Sequence, residues 1–413
     1  MSPGYDRPDH SDFRREVSDS CLFCHNGYPS QANGGLASGI DCQRCHGPGE
    51  AHIAGRGRMV NPAKLSLERQ IEICMQCHLE SASRTLPDSI RRLGRGPFSY
   101  RPGTPLGDFT LYFDFIQPAP DERITVNNSA YGLIRSQCFL RSAGRLKCTT
   151  CHDPHASKPV NDTLVCRSCH PSAHELSTRD CAGCHMQKRR TEDAVHVAMT
   201  DHFIRRRPLA GDLLAPLQER HNRLSGPVRL LYPERAQDSA LYLAMAEANA
   251  STLERAIATA RPTQAEPYFA LGEAYRKAGR VEDAIRAYRQ AIDRAADDPR
   301  SYAAVSTLLL NQPARAIALL EPALSRLPDD TSLLNSLSVL YALVHRFDDA
   351  LRLLSKATRI NPDEPLSWLN LGVSLEAKGD RKGAEAAYRQ ALVLQPDFAR
   401  AREYLGRVNE LAP

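Results

Sequence analysis

The sequence predicts a mainly α protein of two unlike parts, an irregular cysteine-rich domain over residues 1–205 and an α-solenoid over residues 238–413, joined by a linker at 206–237. Three observations carry this. Six CxxCH pentads lie between residues 21 and 185, and no cysteine follows Cys184. A helix-pair pattern recurs every 34 residues in the C-terminal part. The formal charge of +5 divides the same way, since all of it resides in residues 1–210 and the remainder is balanced.

Some classes of partner are excluded early. No run of about 18 apolar residues is present, so no membrane-spanning helix is expected. Arg205, Arg206 and Arg207 form the densest basic run, too short and too poor in aromatic neighbours to predict nucleic-acid binding. The first residues, MSPGYDRPDHSDFRR, lack the apolar core of a secretory signal.

The pentads are CLFCH (21–25), CQRCH (42–46), CMQCH (74–78), CTTCH (148–152), CRSCH (166–170) and CAGCH (181–185). Two thiols three residues apart can each form a thioether to one haem vinyl group, and the next residue, histidine, then sits under the iron. Zinc knuckles, redox CxxC pairs and disulfides also use paired cysteines, but none requires a histidine after every second cysteine. At this chain's histidine frequency, six such coincidences have a chance of about one in a billion. Six covalently attached haem c groups are therefore expected. They would be held by Cys21, Cys24, Cys42, Cys45, Cys74, Cys77, Cys148, Cys151, Cys166, Cys169, Cys181 and Cys184, with His25, His46, His78, His152, His170 and His185 as proximal iron ligands.

The region between the pentads is rich in Pro and Gly. Only LSLERQIEICMQC (65–77) shows a clear helical apolar spacing. The macrocycles are expected to supply the core that side chains do not, so that this half would not fold without haem.

Other histidines can complete bis-histidine sites, because neutral imidazole is a good iron ligand. His52, His155 and His174 follow a pentad by six, three and four residues. Three residues span at most about 10 Å, too little to wrap a macrocycle from one face to the other, so such a histidine must serve a neighbouring haem. His196, His202 and His10 are further candidates, ahead of His221; methionines show no consistent placement. One iron without a sixth ligand would be open to a small molecule. Cys138, the unpaired cysteine, reads as an inert buried thiol.

In the C-terminal part, small residues recur at Ala316, Ala350 and Ala384, and prolines at Pro328, Pro362 and Pro396. The fullest copies are 268–292 and 368–396, with a shortened repeat at 299–328 and a regular one at 330–362. This is the tetratricopeptide pattern of paired helices. Residues 238–262 read as a degenerate first pair and FARAREYLGRVNELAP as a capping helix, while His345 falls in a turn. Such arrays present a concave face to a peptide or protein partner.

Taken together, CQRCHGPGEAH, NPAKL, CMQCH, SQCF, CTTCHDPH, CAGCHM, VHVAMTDHFIRR and the repeats resemble a family of exported multihaem c-type cytochromes fused to tetratricopeptide repeats, whose haem region is similar to nitrifier tetrahaem cytochromes. The resemblance implies close-packed, mostly bis-histidine haems, periplasmic or extracellular electron transfer between redox proteins, and His52, His155, His174 and His202 as distal ligands. It also implies an export signal and a further haem segment upstream of Met1. No CxxCK is present, so the lysine-ligated haem of pentahaem nitrite reductases is not expected. The repeats would dock one partner, or build a homo-oligomer or filament. The competing expectation is a multihaem oxidoreductase acting on a small nitrogen or sulfur compound at one open haem.

Overall fold

The computed structural model describes residues 19–30, 35–81, 89–116, 124–156, 162–171, 180–192, 197–216 and 226–410. The chain divides into two compact units, with the boundary between Glu247 and Ala248.

In the first unit each pentad occupies a short helix or a helix end. These are α1 (Asp19–His25), α2 (Cys42–His46), the last turn of α4 (Leu67–His78), α7 (Cys148–Cys151), α8 (Asp162–Cys169) and α9 (Cys181–His185), with α3 (Glu50–Ile53), α5 (Ser129–Arg135) and α6 (Gln137–Leu140) between them. Helical geometry places residues three apart on one face, which is what two thioethers to one macrocycle require. Caps set these turns: the Asp41 carboxylate accepts from Gln43 N, and Asp180 from Gly183 N at 2.7 Å. Helix α4, the one segment with helical periodicity, starts at the cap Ser66 and buries Ile71, Ile73 and Met75.

The expectation of a region without its own side-chain core needs correction. Phe23, Ile71, Met75, Leu79, Tyr100, Leu106, Phe109, Tyr112 and Tyr131 form one buried apolar cluster. Beside it lies a three-stranded antiparallel sheet of β3 (Ser89–Arg91), β4 (Thr110–Phe115) and β7 (Val228–Tyr232) in the order β3-β4-β7. Every residue of β4 is buried: Leu111, Phe113 and Phe115 join one apolar cluster and Tyr112 the other, so the strand alternates in sequence but is covered on both faces. Its partner β7 comes from more than a hundred residues away, within the stretch read as a linker. Two further hairpins complete the unit, β1 (Asn26–Ser30) with β2 (Gly35–Ser38) and β5 (Lys188–Arg190) with β6 (Ala198–Thr200). Helix α10 (Ser239–Glu247), in the stretch read as a first repeat helix, packs Tyr242 and Ala246 against Leu111, Phe113 and Val228 of this sheet.

The second unit is a run of antiparallel helix pairs. After α11 (Ala250–Ala260) come α12 (Glu266–Lys277) with α13 (Val281–Ile292), α14 (Pro299–Leu308) with α15 (Pro313–Arg326), α16 (Thr331–Leu343) with α17 (Phe347–Ile360), and α18 (Pro365–Ala377) with α19 (Arg381–Leu394); α20 (Ala399–Glu410) closes the array. The recurring alanines Ala316, Ala350 and Ala384 are fully buried, as are Tyr288 and Tyr388. Gly272 and Gly372 lie directly against those tyrosine rings, where a Cβ would collide. The period also repeats a hydrogen bond. Tyr268, Tyr302, Trp368 and Arg402 each donate to the main-chain carbonyl six residues back, those of Pro262, Ala296, Pro362 and Pro396. His345 sits at positive φ in the turn between α16 and α17 and packs on Phe347.

Candidate haem sites

Helix α4 is the hub of the pentads. The Cys77 thiol lies against Cys24 of the first pentad, and Cys74 against Cys148 of the fourth. Gln76 Nε2 donates to the main-chain carbonyl of Arg44 in the second, at 3.2 Å. Lys147, just before the fourth pentad, reaches Gln70 Oε1 at 2.6 Å. The third pentad thus touches the first, second and fourth. None of the described cysteines is disulfide-bonded.

The thiol chemistry follows from this crowding. The Cys77 hydrogen bond, opposed by burial and aided by the Arg44 charge, holds Cys24 down at about 7. Cys77 and Cys74 are pushed far above the usual thiol range, each by its hydrogen-bonded partner thiol and by burial. Among the described residues no three His, Cys, Asp or Glu side chains converge on a common point. A zinc knuckle needs such convergence. A haem does not, because the macrocycle brings four donors of its own.

Four of the described histidines form two facing pairs. The His46 ring lies opposite His155, with centroids 5.9 Å apart and planes 28° from parallel. His152 lies opposite His202 at 6.1 Å and 23°. With metal–imidazole bonds of about 2.0–2.1 Å and about 1.1 Å from nitrogen to ring centre, two axial ligands of one metal have centroids about 6 Å apart. The reading that a histidine close behind one pentad must serve a neighbour is what this arrangement allows, since His155 follows His152 but faces His46.

The rings are also oriented. The Val60 carbonyl lies 2.8 Å from His46 Nδ1, that of Thr200 2.9 Å from His202 Nδ1, and that of Arg205 2.6 Å from His185 Nδ1. A carbonyl only accepts, so Nδ1 carries the proton and Nε2 keeps its lone pair for a metal. His155 Nδ1 has the Asp153 carboxylate 3.8 Å away. Burial, with the His152 charge beside it, lowers the His202 pKa, and packing about the His78 ring with the same neighbour lowers that of His78.

The His202 segment is itself clamped. Asp201 is buried between Arg189 (2.9 Å) and Arg205 (3.2 Å) and accepts from Phe203 N at 2.9 Å. On the other side, a Cβ on Gly132 of α5 would stand 2.9 Å from Phe203 N. Only glycine lets the two backbones approach this closely.

The remaining candidates are less constrained. His52, on α3, is exposed, with Nδ1 3.4 Å from the Gly57 carbonyl and no facing imidazole among the described residues. His25 and His170 are exposed on their pentads. His10, His174, His196 and His221 lie outside the described residues, as does the Cys21 side chain. Cys138 is half-buried, with burial raising its pKa.

Comparison with known proteins divides the chain the same way. The tetratricopeptide repeat family pattern matches residues 265–298, 303–365, 344–397 and 369–413. Over 211 residues the chain is 26% identical to the multiheme cytochrome MtrA of Shewanella baltica, covering 45% of this chain and 57% of that protein. The chain joins a multihaem cytochrome homologue to tetratricopeptide repeats. It thus spans little more than half the length of that cytochrome. A shorter match, 38% identical over 66 residues, relates 16% of the chain to 11% of the peroxisomal targeting signal receptor of Saccharomyces cerevisiae. Among solved structures, the tetratricopeptide protein YrrB aligns over 40% of this chain and 83% of its own, at 22% identity and a TM-score of 0.33.

The cytochrome-like unit fits haem on its own observations. Ile53 beside His52, Leu140 on α6 and Leu164 on the fifth-pentad helix are 88%, 59% and 66% exposed, apolar surface of the kind a macrocycle covers. Among the described residues, the buried polar atoms without a partner include Gln76 Oε1, Tyr100 OH and all three guanidinium nitrogens of Arg44. Sequence reasoning missed Arg44, Gly132, Asp201 and the carbonyls that orient the imidazoles, and no local pattern marks them. Among the described residues no helix is long and apolar enough to cross a membrane.

Proposed function

We propose that the chain is a hexahaem c-type cytochrome that carries electrons between redox proteins on the outer side of the cytoplasmic membrane, with the repeat array binding a protein or peptide of the same system. Homology to a multihaem cytochrome supports covalent haem c and electron transfer, and the repeats support protein binding. The observation that carries the reading is the two imidazole pairs at about one-iron spacing, linked through His152 and His155, three residues apart.

In this reading His46 and His155 hold one iron and His152 and His202 the next. Haem c supplies the one-electron iron couple. The chain does the rest. Nδ1–H donation to Val60 and Thr200 fixes ring orientation and ligand basicity. The three-residue span from His152 to His155 would hold two neighbouring haems close together, and α4 ties the first, second and fourth pentads together. The remaining proximal ligands are His25, His78, His170 and His185, with His10, His52, His174 and His196 as donors for the other irons. The haem attachment sites lie within residues 1–205, β7 and α10 extend that unit to Glu247, and the repeats are taken to begin after it.

The test is the holoprotein made in a host that attaches haem c. Mass and haem absorbance should give six haems per chain, and the ferric protein should show low-spin signals from every site. A count below six removes the hexahaem reading. A high-spin ferric signal that shifts with nitrite or hydroxylamine would favour the oxidoreductase instead.

A further inference from the structure

The third residues of the first three pentads, Phe23, Arg44 and Gln76, meet at one point. Arg44, in the middle of its pentad, is 2% exposed. Its guanidinium carbon lies 4.2 Å from the centre of the Phe23 ring, 5.0 Å from Tyr28 and 5.7 Å from Phe98. Its main-chain carbonyl takes the Gln76 hydrogen bond from the third pentad. Among the described residues no acceptor stands in hydrogen-bonding geometry to Nε, Nη1 or Nη2, and the Tyr28 hydroxyl is a neutral polar group beside them. The nearest acid in sequence, Asp41, is spent on Gln43, at 3.0 and 3.1 Å. A second cation, Arg101, stands 4.7 Å from the centre of the Tyr28 ring and donates to the carbonyls of Phe98 and Tyr100.

A guanidinium cannot shed its proton in a protein, and aromatic faces attract it without neutralising it. The site is therefore a permanent, dehydrated positive charge, where field is strong and salt does not screen it. Adding an electron to a ferric haem nearby is favoured by such a charge. We propose that Arg44 raises the reduction potentials of the haems attached through the first three pentads above those of the last three, so that electrons entering the chain come to rest at the N-terminal group.

This rests on the hexahaem reading, but the two fail separately: haem count tests that reading, and potentials at full haem loading test this one. The experiment is a spectroscopic redox titration of the holoprotein, comparing wild type with Arg44→Met, which keeps length and apolar packing, and Arg44→Lys, which keeps a charge. Arg44→Met should shift the reduction equilibrium of up to three haems about tenfold toward ferric, 59 mV for one electron, and leave the others in place. The fourth-pentad haem, marked as high-spin in a His202→Ala background, should be among the unshifted. Arg44→Lys should fall between Met and wild type. Unchanged potentials in a fully loaded Arg44→Met, or an equal shift of all haems, would show a purely mechanical role and overturn the proposal. Should Arg44→Met fail to load haem, the wild type decides. The gap between the high- and low-potential groups should persist from about 0.01 M to about 1 M salt, over which the Debye length falls from about 30 Å to about 3 Å. A gap that collapses belongs to exposed charges and rejects Arg44.

Discussion

The two units solve the problem of a core differently. The repeat array buries side chains against side chains, and each pair needs only its neighbours: Ala384, Tyr388 and Ala391 close one pair much as Ala284, Tyr288 and Ala291 close another. The N-terminal unit has a side-chain core built on β4 and α4, while its pentad segments also carry exposed imidazoles and exposed apolar residues such as Ile53 and Leu164. One unit is complete as a polypeptide. The other is completed by what its cysteines attach.

The sharpest way to break that comparison is to withhold haem. In the full chain made without haem attachment, amides of residues 248–410 should stay protected from hydrogen exchange, those of β3, β4 and β7 should be intermediate, and those of the pentad helices should exchange freely. Equal protection in both units would show that the first needs no haem. Next is ligand removal: His155→Ala and His202→Ala should each convert one ferric haem, and a different one in each case, from low to high spin without loss of haem. If either leaves every site low-spin, that facing pair does not share an iron.

Within the array, Tyr388→Ala should cost about 3–5 kcal/mol in denaturant unfolding of the helical signal, because a fully buried ring is lost. A smaller effect, about 1–3 kcal/mol by overpacking, is expected for Gly132→Ala, and it should disturb the same haem signal as His202→Ala because the added methyl presses on Phe203 N. The smallest is Trp368→Phe, about 0.5–1.5 kcal/mol for the lost bond to the Pro362 carbonyl. If Gly132→Ala altered stability but not the His202-linked signal, that glycine would serve packing alone.

Much of the array was legible because its rules are short-range and repeated, from the burial of Ala316, Ala350 and Ala384 to the capping helix α20. Less of the N-terminal unit was legible. The strand β4 went unread although Leu111, Phe113 and Phe115 alternate along it, because its partner β7 lies across the chain in the stretch read as a linker and nothing local showed the sheet. The pairing of His46 with His155 was half-visible: spacing showed that His155 had to look elsewhere, but not where. Asp201, Gly132 and Arg44 carried no sign at all, since an aspartate in a loop, a glycine in a short helix and an arginine in a pentad look the same whether they are solvated or buried.

The sequence by itself determined the covalent logic of this protein, the six places where cysteine pairs and a histidine can take a prosthetic group, and the 34-residue beat of its helices. Both are written in spacings of a few residues or one period, within the reach of local geometry. Tertiary structure alone decided which imidazoles face each other, that α4 stands among the pentads, and that the Arg44 charge is sealed among aromatic rings. Those outcomes depend on contacts between residues brought together from across the first unit, where the energy of burial, and not the order of residues along the chain, selects the neighbour.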